Sequence, residues 1–140
     1  MWICRIAGAL VTMGDPQSAV ALQHPDVQTP QTLPMDTHMV MQQLGNLYLL
    51  LALVSVAVLY TTSEPKVVRN YLIALALADV GHIYITYLGL GQAIFFNIAR
   101  WNSMTWGNVG VTSFLLLNRL CCFLGLFGSI KAPRPDKKSQ

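Results

Sequence analysis

Nine Lys or Arg and six Asp or Glu leave the 140-residue chain 11% charged and 54% hydrophobic, where a soluble domain carries charge on roughly a quarter of its residues. This length holds one domain and excludes a second, catalytic one, and the apolar middle excludes disorder there because such stretches do not stay solvated. The net charge of +3 does not point to nucleic acid, because four of the nine cations lie in the last ten residues, KAPRPDKKSQ, as in a basic juxtamembrane tail.

The first 38 residues stand apart from the rest. MWICRIAGALVTM is an apolar piece with Arg5 inside, too short to cross about 30 Å of hydrocarbon. It reads either as a secretory signal or as the remnant of a first membrane helix. In the signal reading, Arg5 is the charged region, residues 6–13 the apolar region and Ala19-Val20-Ala21 an A-x-A-like cleavage site. Pro16, Pro25, Pro30 and Pro34, with Asp15, Asp26 and Asp36, then break any regular pattern, which predicts a solvated loop over 14–38.

From residue 39 the chain reads as a transmembrane domain reaching residue 130, with spans at about 39–60, 71–96 and 107–130, and a basic tail at 131–140. Residues 44–60 carry no charge, 71–96 only Asp79, and 107–130 only Arg119. Runs of this length suit helices crossing a hydrocarbon core. The expected fold class is all-α, a multi-pass transmembrane helical bundle with three clear spans and a partial fourth at the N-terminus. Pro65 is expected to stop the first of these spans, with Lys66 and Arg69 flanking the membrane and Trp101 and Trp106 at headgroup level. A cytoplasmic C-terminus puts Lys66, Arg69, Lys131, Arg134, Lys137 and Lys138 inside and only Arg5 and Arg100 outside, the arrangement that the positive-inside rule selects. The Pro-rich loop is then lumenal. The address expected is the endoplasmic reticulum or another endomembrane, because no other targeting signal is visible.

Asp79 and Arg119 are each costly in lipid, about 2.5 to 3.5 kcal/mol on insertion scales. Counted from the flanks at about 1.5 Å per residue, Asp79, His82 and Arg119 lie at one level near mid-membrane. Asp79 and His82 are spaced i, i+3 and share a helix face. An Asp79–Arg119 ion pair with His82 beside it is therefore expected, and Ala78, Gly81, Gly110, Gly125 and Gly128 are expected to let the helices approach. Three readings stay open. In one the cluster holds Asp79 and His82 as acid and base, with Arg119 as electrostatic partner; in another the same residues only fix the helix bundle; in the third they conduct ions or protons. Asn46, Asn108 and Asn118, with Gln42 and Gln43, are expected as polar bundle-interior groups.

No phosphate-binding loop, zinc-protease or nucleophile-elbow motif is present, and His24, His38 and His82 lack metal-ligand spacing. No metal or cofactor is expected, and His24 and His38 read as loop residues. Cys4, Cys121 and Cys122 form no disulfide framework and read as small apolar fillers.

At residues 43–51 (QLGNLYLLL), 78–84 (ADVGHIY) and 101–110 (WNSMTWGNVG), with Asn118, Arg119 and Leu120, the chain resembles a family of small fungal integral membrane proteins with four helices, similar in architecture to the sterol-isomerase-like fold. The resemblance runs from about residue 6 to residue 128. It implies a full first helix ahead of a Pro-rich loop, of which this chain carries only part, and a role beside biosynthetic genes for lipophilic secondary metabolites. The partners it implies are the lipid bilayer, a lipophilic terpenoid-like or polyketide-like substrate and other membrane-bound pathway enzymes. A non-enzymatic structural or interaction module is the alternative.

Overall fold

The computed structural model describes residues 2–26 and 32–126. Residues 27–31, the stretch 127–130 with Gly128, and residues 131–140 with Lys131, Arg134, Lys137 and Lys138 lie outside the described residues, as do the side chains of Trp2 and Cys4. Among the described residues every regular element is helical.

Helices α1 (Trp2–Gly14) and α2 (Pro16–Ala21) precede α3 (Met35–Thr61) and α4 (Pro65–Leu90). At 27 and 26 residues, α3 and α4 are each about 40 Å long at ~1.5 Å per residue, enough to cross a hydrocarbon core. A helix that is apolar all round belongs either in the core of a soluble protein or in a membrane. Here only 17% and 6% of the most apolar 18-residue windows of α3 and α4 are buried, and Leu47, Leu53, Leu77, Ile85 and Leu88 stand outward. Two helices are thus long and apolar enough to cross a membrane.

The turn between them corrects one expectation. Pro65 does not stop α3, which ends at Thr61 with Thr62 extended; it opens α4 from a first-turn position. Proline is suited there because its missing N–H has no helical partner to lose and its φ is already helical. Glu64, in front of it, is held extended at ψ 114°. Lys66 and Arg69 consequently lie within the first two turns of α4.

The second span is expected to reach residue 96, but α4 ends at Leu90. Gly91 takes φ +71° while its N–H caps the Tyr87 carbonyl at 2.9 Å, a left-handed conformation that glycine adopts without Cβ strain. The chain continues as α5 (Gln92–Phe95) and a 3₁₀ turn over Ile98–Arg100. Tyr87, Phe95 and Phe96 pack edge to face there, with ring centroids 5.2 to 6.2 Å apart.

The last helical stretch starts earlier than expected. Asn102 accepts the Thr105 N–H at 2.8 Å as N-cap of α6 (Ser103–Thr105). A π-helical stretch, Trp106–Val111, then leads without a break in helical dihedrals into α7 (Thr112–Phe123). Gly125, at φ +74°, closes α7, with its own N–H on the Cys122 carbonyl and that of Leu126 on the Cys121 carbonyl, the glycine-dependent C-terminal motif. α7 packs against α4.

The loop expected over 14–38 is interrupted. Asp15 caps α2 by accepting the Ser18 N–H at 3.1 Å, and Pro16 opens it. Ala19 is fully buried, and α2 packs on α3. α3 begins at Met35, so His38 is helical rather than a loop residue. His24 lies in the turn after α2, where its Nδ1 accepts the Asp26 N–H at 3.4 Å.

α1 lies antiparallel along α3: Arg5 meets Leu51 and Ser55, Gly8 faces Tyr48, and Thr12 faces Gly45. A Cβ on Gly45 would lie 2.7 Å from Thr12 Oγ1 and 3.3 Å from the Ala9 carbonyl, and would overlap Met13. Of the glycines described, Gly45 is thus the one packed against another helix too closely for a side chain. At Gly81 and Gly125, expected to serve this purpose, a Cβ would meet nothing within 4 Å, Gly110 is covered by Trp106 of its own helical stretch, and Ala78 is exposed.

Candidate functional site

Asp79 lies fourteen residues past Pro65 in α4, ~21 Å along the helix and near its middle. Arg119 projects from α7, and its Nη1 pairs directly with Asp79 Oδ2. The side chains are 5% and 13% exposed, Arg119 being the more enclosed. The level matching foreseen from the sequence is thus met by a contact. Removing either member of such an enclosed pair leaves a desolvated charge behind. His82, one turn further along α4, is half-buried, and its carbonyl accepts the Thr86 hydroxyl at 2.8 Å. Its ring makes no hydrogen bond among the described residues.

A second polar node lies closer to the α3–α4 turn. Ser55 and Tyr71 are each six residues from the helix ends at that turn, Thr61 and Pro65. Their hydroxyls hydrogen-bond to one another, and Arg5 of α1 donates to Ser55 Oγ. Arg5 Nη1 also lies 2.8 Å from the Leu51 carbonyl and 3.5 Å from the Tyr71 hydroxyl. Ser55 itself donates to the Leu51 carbonyl at 2.6 Å. Its single proton and both lone pairs are therefore engaged, with Tyr71 and Arg5 as donors, which suits a side chain with no solvent exposure. Arg119 lies within electrostatic reach of both Arg5 and Tyr71, so the two nodes form one polar region across α1, α3, α4 and α7. Sequence reasoning did not find this node. By sequence Arg5 counts as a flanking cation, and a Ser and a Tyr in apolar helices carry no charge signal.

The asparagines go elsewhere. Asn46 is exposed on α3 beside an open groove lined with Met39, Gln42 and Gln43, not in the bundle interior. Asn118 donates to the Phe114 carbonyl of its own helix at 2.8 Å. Asn108 donates to Gln23 at 3.1 Å, Asn102 to the Leu22 carbonyl at 2.9 Å, and Arg100 grips both Asp26 oxygens at 2.7 and 2.8 Å. These bonds tie the segment after α2 to residues 100–108. Trp101 donates to the carbonyls of Ile94 and Phe95 at 3.2 Å each and packs edge to face on Trp106 at 5.1 Å. Asn102 and Asn108 of the W-N-x-x-x-W-G-N string, with Arg100 just ahead of it, thus supply this clasp.

Long outward-apolar helices and an enclosed ion pair define the class: a small all-helical protein with helices able to cross a membrane. Residues 3–129 match the family described as Domain of unknown function (DUF7704), and the chain belongs to that family. No curated protein and no solved structure matches it.

Proposed function

We propose that this is a multi-pass membrane protein of a fungal endomembrane such as the endoplasmic reticulum, with its C-terminus in the cytoplasm, accessory to or catalytic in the biosynthesis of a lipophilic secondary metabolite. The single observation that carries the reading is the Asp79–Arg119 pair enclosed at mid-helix with His82 one turn away. Ionisable groups held inside a membrane bundle are costly, and function is the default reason for their presence. In this reading a terpenoid-like or polyketide-like molecule enters from the bilayer. Asp79 and His82 act on it as acid and base, and Arg119 is the electrostatic partner of the Asp79 carboxylate. Other membrane-bound pathway enzymes would deliver the substrate or take up the product.

The test is His82→Gln, which keeps similar volume and one hydrogen-bonding group. The variant is expected to insert and accumulate like the wild type while product formation is lost. Wild-type metabolite output from a well-expressed variant would end the catalytic reading. A second reading, a non-enzymatic structural or interaction module, is favoured by the directness of the Asp79–Arg119 contact, since each group serves as the other's partner. Exchanging the two residues preserves such a module and destroys a positioned acid and base, so protein level and metabolite output would part company.

A further inference from the structure

Among the described residues the charge inside the bundle is not balanced. Two guanidinium groups, Arg5 and Arg119, face a single carboxylate, Asp79, and that carboxylate is taken by Arg119. Arg5 is held by neutral acceptors, the Ser55 and Tyr71 hydroxyls and the Leu51 carbonyl, and no carboxylate among the described residues reaches it. These neutral groups accept from Nη1 without neutralising the charge, and a charge taken out of water is costly unless it is paired as well as hydrogen-bonded. The nearby Arg119 adds like-charge repulsion. The Arg5 node is also open on one side: Arg5 is half-buried, and the Leu51 carbonyl that it binds is on an exposed stretch of α3. At six residues from the α3–α4 turn, about 9 Å along the helix, it lies where the acidic head of an amphiphile can reach while its tail stays in hydrocarbon.

We infer that Arg5, positioned by Ser55, Tyr71 and the Leu51 carbonyl, is the binding site for the carboxylate or phosphate head of a lipophilic anion, which supplies a counter-charge that the described residues do not. The contacts of Arg5 all fall on Nη1, so Nη2 and Nε have no protein partner among the described residues, and a planar guanidinium presents such N–H groups as a fork matched to two oxygens of the head. This inference rests on the reading of the polar region as a place that receives a lipophilic molecule, and it names that molecule's class. The anion comes either from the bilayer, as an anionic phospholipid, or from a free lipophilic acid; both present the same oxygens to Arg5.

The test uses the full chain purified in neutral detergent, with oleate, dioleoyl phosphatidic acid and the uncharged oleyl alcohol as probes, and with binding read by native mass spectrometry and melting temperature. Oleate or phosphatidic acid is expected to bind and to raise the melting temperature while oleyl alcohol does not, and the stronger of the two acids identifies the source. Arg5→Gln is expected to weaken that binding on the order of tenfold to a hundredfold, as for loss of a charge-assisted hydrogen bond. Arg5→Lys, which keeps the cation and loses the fork, should bind less tightly than the wild type but more tightly than Arg5→Gln, and shows that the fold tolerates change at the position. Equal binding of oleyl alcohol and oleate would overturn the anion site while leaving a lipophile-receiving region in place. No binding of any probe would overturn both, and undiminished acid binding by a folded Arg5→Gln would overturn the role of Arg5.

Discussion

Ser55 shows how much one small side chain can hold. Its hydroxyl accepts from Arg5 and Tyr71 and donates to Leu51, so Ser55→Ala strips two donors of an acceptor inside the bundle. The expected cost is ~1–3 kcal/mol, read as a lower melting temperature in detergent; an unchanged melting temperature would mean that the node is not formed. Asp15 is a milder case at the surface. Its bonds from Ser18 hold the exposed carboxyl below its ordinary value. Because the folded value is the lower one, the cap's contribution is fully present above the unfolded value of about 4 and fades as the pH falls through the folded value. Exchange of the Ser18 amide should accelerate over that acid window in the wild type. In Asp15→Asn, which caps without titrating, it should show no such step.

At the level of elements, the docking of α1 on α3 depends on the absence of a side chain at Gly45. Gly45→Leu is expected to push α1 away, with a loss of about 1–3 kcal/mol typical of overpacking, whereas Gly81→Leu meets open space and should cost nothing measurable. Melting temperatures of the two variants give the comparison, and equal losses would contradict the α1–α3 contact. The same pair of glycines shows where sequence reading runs out. Helices that are apolar on every side give no indication of which face meets a neighbour, so Gly81 and Gly45 look alike until the packing is known. The Asp79–Arg119 contact was legible because each is the only charge in a long apolar run and the two lie at matched depth. The Arg5–Ser55–Tyr71 node was not, because it exists only once the short α1 folds back antiparallel on α3. Helix ends were displaced for local reasons: Pro65 starts a helix as readily as it follows one, and Gly91 and Gly125 stop helices inside stretches whose hydropathy does not change.

For the whole molecule, the proposed orientation and the enclosed charges are linked. Arg5 hydrogen-bonds within the bundle, so in that proposal it drops out of the count of outer flanking cations, and Lys66, Arg69 and the four tail cations, proposed as cytoplasmic, stand against Arg100 alone. An engineered glycosylation acceptor beside Thr29 should therefore be modified and one in the tail should not; the reverse pattern would invert the topology. The clasp of Arg100 on Asp26 is exposed on both sides, 45% and 51%, so Arg100→Ala should shift stability by no more than about 1 kcal/mol. The enclosed pair behaves differently, and it is tested most directly by a double-mutant cycle on melting temperature and steady-state protein with Asp79→Asn, Arg119→Leu and the two together. Each single change leaves a partner charge stranded and is expected to be strongly destabilising, on the order of 3–5 kcal/mol, while the double variant should lose less than either single one. Losses that simply add would contradict a direct Asp79–Arg119 pair.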